Sequence, residues 1–121
     1  MIFNILVAAM ALFAIAQNPQ ADDCKIIRDE IVEGVRYVSA IPSEKVCSRQ
    51  IDIEIKDDVI QKVVFTRGCQ GNGKGIGALI KGMTIDEAIS RLDGIACGNR
   101  GTSCPDQLAC VLKAVRQSSE Q

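Results

Sequence analysis

The chain is 121 residues long, enough for one small domain around a single core. Fourteen basic residues against fifteen acidic ones give a net charge of −1, and three Phe with one Tyr are the whole aromatic complement. That leaves neither a basic stripe nor a row of stacking platforms, so nucleic-acid binding is excluded as the working reading. Six cysteines and no histidine place the chemistry of the chain on sulfur.

The first residues carry an apolar run, Ile5 to Ala16, that closes in Ala14-Ile15-Ala16 before Gln17-Asn18-Pro19. It is shaped like a signal-peptide core with an A-x-A cleavage site at Ala16-Gln17, and it is shorter than the about 20 residues a membrane helix needs. Residues 1–4 lack the Lys or Arg such a leader carries, so two locations stay open: exported or periplasmic if the leader is cleaved, cytoplasmic if it is not. The choice bears on the cysteines, because export permits disulfides and a reducing cytosol favours metal.

Residues 17–34 are read as a linker with a short helix, since Ile27, Ile31 and Val35 recur four apart and Gly34 follows. "VRYVSAI" is β-rich and stops at Pro42. "IDIEI" alternates Ile51, Ile53 and Ile55 with acidic residues and predicts a half-buried strand with an acidic outer face. Lys56-Asp57-Asp58 then form a polar turn into "VIQKVVF", so residues 48–66 predict an antiparallel hairpin.

The stretch "GCQGNGKG", Gly68 to Gly75, fits the first part of a phosphate-binding loop. It presents Gly75 where Mg²⁺ coordination needs Ser or Thr, and no parallel βαβ pattern surrounds it. Its glycines are read instead as a tight turn behind Cys69, with a helix beginning at Ile76 and burying Ile76, Leu79 and Ile80. Thr84 and Glu87 form a capping-box signature for a second helix, on which Ile85, Ile89 and Leu92 share a face before Gly94. Ser103, Pro105 and Asp106 open a third, with Leu108, Val111, Leu112 and Val115 as its apolar stripe. Strands first and helices second define an α+β class: a small antiparallel sheet of about three strands with the helices on one face.

Cys47, Cys69, Cys97 and Cys104 all fall at junctions between elements, positions that can converge at one end of a sheet. Cys104 opens a helix, whose N-terminal partial charge favours a thiolate. At about 100° per residue, Cys104 lies within about 30° of the apolar stripe's centre and Cys110 roughly 150° from it, so Cys104 is expected to face inward and Cys110 to face away. Lys45, Arg49, Arg67 and Arg100 flank these cysteines and are able to offset thiolate charge. No C-x₂-C pair is present, so the spacing differs from that of a zinc ribbon.

"GTSCPDQLA" at residues 101–109, with "VCS" at 46–48, "GCQGN" at 68–72 and "LDGIACG" at 92–98, resembles the TSCPD domain family over about residues 35–117, leaving 118–121 as a polar tail. The resemblance implies a metal site at Cys47, Cys69, Cys97 and Cys104, with Zn²⁺ or an Fe–S cluster as cofactor. It also implies a relation to the C-terminal domain of adenosylcobalamin-dependent ribonucleotide reductases, and such a reductase as a partner in deoxynucleotide synthesis. No residue is assigned as catalytic, because a reductase barrel does not fit in this length. More distantly, the order of elements is similar to the U-type iron–sulfur scaffold proteins and implies their fold. On that likeness Cys47, Cys69 and Cys104 match the scaffold's cysteines, Ser48 and Arg49 stand where it carries an Asp, and Cys97 is an addition. Two other functions remain: a thiol–disulfide redox protein with Cys104 as nucleophile and Cys97 or Cys69 as resolver, and an exported domain in which six cysteines form three bridges.

Overall fold

The computed structural model describes residues 24–119, so the leader, residues 17–23 and the last two residues lie outside it. Four strands, β1 (Cys24–Val32), β2 (Val35–Pro42), β3 (Gln50–Lys56) and β4 (Val59–Thr66), form an antiparallel sheet in the order β1-β2-β3-β4. Three helices follow: α1 (Gln70–Ile80), α2 (Ile85–Leu92) and α3 (Cys104–Ser119). The class is α+β, as expected, with one strand more than the sequence suggested.

The additional strand is β1, where a short helix was expected. Glu33 and Gly34 both adopt positive φ, 53° and 83°, the two-residue turn that matches the twist of a β-hairpin. The pairing Val32↔Val35 through Cys24↔Pro42 fixes the strand, and the register shifts between Ile26 and Arg28, leaving Ile27 as an extra residue. Ile27 is bulged out and, like Ile31, exposed, and a spacing of four fits a strand's period of two as well as a helix, so these residues marked no buried helical face. Asp57 and Asp58, at φ 53° and 63°, make the same kind of turn between β3 and β4. There a second register shift, with Glu54 opposite Lys62 and Ile55 opposite Ile60, moves the inward face from Ile60 to Val63 and Phe65.

Val38, Ala40, Ile51, Ile53, Ile55, Ile60 and Val63 bury one face of the sheet. The helices cover it with Ile80, Ile85, Ala88, Ile89, Leu92, Leu108, Val111, Leu112 and Val115. The predicted stripes of α2 and α3 are therefore core. Thr84 Oγ1 accepts the Glu87 N–H at 3.1 Å, and Ser103 Oγ accepts that of Asp106 at 3.2 Å, so both capping signatures operate. No helix among the described residues is long and apolar enough to cross a membrane.

α1 begins six residues earlier than predicted, and the glycines lie inside it. A Cβ on Gly77 would sit 2.9 Å from the Val63 carbonyl oxygen, and one on Gly73 would sit 3.3 Å from Phe65, so these residues let the helix lie directly on β4. The turn behind the strand is made instead by Arg67 and Gly68, both at positive φ. Leu79, expected on the buried face, is 76% exposed, because Ile80 takes the core position and helical geometry carries its neighbour outward.

Candidate functional site

Two helix N-termini meet the β2–β3 and β4–α1 connections at one end of the sheet, around a cavity of about 460 Å³ lined by Cys47, Cys69, Cys97, Cys104, Arg67 and Arg100. Val46, Phe65, Ile76, Leu79 and Pro105 supply its apolar wall. Each cysteine arrives on a different segment. Cys47 lies before β3, in a connection whose Arg49 N–H donates to the Thr66 carbonyl at 2.8 Å, bringing it beside the Arg67-Gly68 turn. Cys69 is the N-cap of α1, Cys97 sits in the α2–α3 loop, and Cys104 is the first residue of α3.

The closest thiols are Cys47 and Cys104, whose Sγ atoms are 3.5 Å apart, and the Ser48 hydroxyl stands 3.3 Å from Cys104 Sγ. The Cys69 backbone N–H, donating to the Cys47 sulfur, holds that thiol below its usual pKa, and Cys104 and the Arg100 charge act in the same direction. Gly68 leaves room for this arrangement, since a Cβ there would lie 2.8 Å from Cys47 Sγ. Among the described residues, no three Cys, Asp or Glu side chains are placed around a common point as metal ligands. Of the basic residues flanking the cysteines, Arg67 and Arg100 line the cavity and Lys45 and Arg49 do not.

The motif residues around Cys104 serve to hold it. Asp106 accepts the Gly94 N–H at 2.7 Å and the Thr102 hydroxyl proton at 2.6 Å. Ser103 Oγ donates to the Ile95 carbonyl at 2.7 Å. Gln107, 1% exposed, accepts the Ser43 N–H at 2.8 Å and donates to Thr102 Oγ1 at 3.0 Å. One polar network thereby ties the loop bearing Cys97 and the connection bearing Cys47 to the start of α3.

Two expectations require correction. The redox reading paired Cys104 with Cys97 or Cys69, whereas the thiol in contact with it is Cys47. The three-bridge reading is replaced by a single disulfide, Cys24–Cys110, with the other four cysteines free. Cys110 does lie off the core-facing stripe, but it is half-buried, because β1 passes along that flank of the helix. Sequence reasoning missed the partnership of Cys24 and Cys110, and also missed that Cys69 stands at a helix N-terminus. The Glu33-Gly34 turn signal was the available pointer to the first, since a hairpin there carries Cys24 back to Pro42.

A four-stranded sheet followed by three helices, with four thiols gathered at one end, defines a small cysteine-centred α+β domain. Residues 28–116 match the TSCPD domain, and the chain belongs to that family. No curated protein and no solved structure matches it.

Proposed function

We propose that the chain is a metal-binding four-cysteine module in which Cys47, Cys69, Cys97 and Cys104 hold Zn²⁺ or an Fe–S cluster. The observation that supports this most is that four thiols from separate segments line one cavity while the remaining two are bonded to each other elsewhere. The donor set suits a soft metal, and the 3.5 Å between Cys47 and Cys104 Sγ is close to the about 3.8 Å edge of a tetrahedron with metal–sulfur bonds of about 2.3 Å. The Cys69 N–H on the Cys47 sulfur and the Arg100 charge are the surroundings that favour a ligating thiolate. Bound there, the metal would join the three connections that carry the thiols, and its role would be structural. As the family relation suggests, the partner would be a cobalamin-dependent ribonucleotide reductase, which the module would serve as an accessory.

Elemental analysis and a UV–visible spectrum of anaerobically purified protein test this. The expected result is about one zinc per chain, or iron with matching sulfide. Cys69→Ser and Cys104→Ser should lose the metal, and Cys24→Ser should keep it. A wild-type chain that comes through anaerobic purification folded and without metal, before any chelator is added, overturns the reading.

A further inference from the structure

Arg67 and Arg100 both line the thiol cavity, and neither makes an ion pair among the described residues. Arg67 holds φ 67°, a conformation Gly or Asn adopts at lower cost. Beside these two charges lie the apolar wall and an exposed thiol, Cys47, with the half-buried thiol of Cys104 at 3.5 Å behind it. Two sulfurs at that separation are already in contact, and a bond between them draws them in to about 2.05 Å. The chain thus brings together an outer sulfur reachable by a ligand, an inner sulfur placed to displace that ligand, and two unpaired cations to hold an anion.

We infer that the Cys47–Cys104 pair carries out thiol–disulfide exchange on a small anionic peptide disulfide whose carboxylates are held by Arg67 and Arg100. Cys47, as thiolate, attacks one sulfur of R–S–S–R′; that S–S bond breaks, and R′–S⁻ leaves and takes a proton from solvent. Cys104 then attacks Cys47 Sγ in the mixed disulfide and expels R–S⁻, which is protonated in turn. The two protons lost by Cys47 and Cys104 end on the two product thiols; one disulfide is reduced and one is formed. This activity goes beyond the metal reading and belongs to the metal-free chain, in which the same thiols are unligated.

The test incubates the full chain, chelated and with its Cys24–Cys110 bridge intact, with oxidised glutathione, and maps the products by mass spectrometry. Loss of two of the four free thiols to a Cys47–Cys104 cross-linked peptide is expected, and Cys104→Ser should trap the glutathione adduct on Cys47. A bridge through Cys69 or Cys97, an adduct trapped on another cysteine, or no reaction overturns the exchange. Replacing both Arg67 and Arg100 by Ala should slow reaction with oxidised glutathione about tenfold more than reaction with neutral bis(2-hydroxyethyl) disulfide, which loses only the effect of the Arg100 charge on Cys47. Equal slowing with both disulfides, or with neither, overturns the anionic substrate. Metal content measured before chelation reports on the metal-binding function separately, so the two failures are distinguishable.

Discussion

At the scale of single residues, Cys47 is governed by what its neighbours donate to it. The Cys69 N–H foremost, then the Cys104 thiol and, more weakly, the Arg100 charge favour its thiolate, and together they outweigh the desolvation that opposes them. In the chelated chain, alkylation of Cys47 should therefore show a midpoint below that of an ordinary thiol, and both Cys104→Ser and Arg100→Ala should raise it. The sign for stability follows: a depressed native pKa contributes stability at pH above the unfolded value, and that contribution is lost as pH falls through the native value. A pH series of alkylation rates, followed by peptide mapping, checks the midpoint. The sequence showed the cysteine and its basic neighbours. It gave no sign that the decisive donor is a backbone N–H of a residue twenty-two positions on, because that contact exists only once the β2–β3 connection lies against the Arg67-Gly68 turn.

At the scale of elements, the helices differ in how they are held. α1 contains four glycines, each costing about 1 kcal/mol against alanine in a helix, so its stability comes from lying on β4 at Gly73 and Gly77. α3 is anchored at its start by Gln107 and at its end by Arg36. The Arg36 guanidinium forms a fork with Asp29 of β1, at 2.7 and 2.6 Å, and also donates to the Val115 carbonyl and to Ser118 and Ser119. Asp29 chiefly holds the Arg36 pKa above its usual value, and the carbonyl contact lies at the helix end where cations are favoured. Gln107→Leu keeps the volume but removes the buried hydrogen bond to Thr102 and leaves the half-buried Ser43 N–H unpaired, and should lower unfolding stability by about 1–3 kcal/mol in a urea titration. The capping signatures of α2 and α3 were legible because they are local in the chain. The helix over the glycines and the strand at Cys24–Val32 were not, since close approach to β4 and pairing with β2 override what those segments favour alone.

For the whole molecule, the Cys24–Cys110 disulfide joins the first strand to the last helix across a sequence separation of 86. Cys24 lies outside the family match at residues 28–116, so the bridge is attached to the domain from beyond that match. A loop of that length makes the entropy of the unfolded chain the main quantity the bridge changes. Cys24→Ala with Cys110→Ala should cost about 2–4 kcal/mol of unfolding stability, measured by denaturant titration of the doubly substituted chain. The free thiols should remain four by titration with a thiol reagent.

Local chemistry in the sequence was sufficient for the class, the β3–β4 hairpin, the buried stripes of α2 and α3, and the motif at residues 102–106, because alternation, helical period and capping each act within a few residues. Tertiary structure decided the rest: that β1 is a strand, that the glycines form a helix against β4, that Cys110 bonds Cys24, and that Cys47 is the thiol touching Cys104. Each of these depends on surfaces brought together from distant parts of the chain, where pairing and packing outweigh local preference.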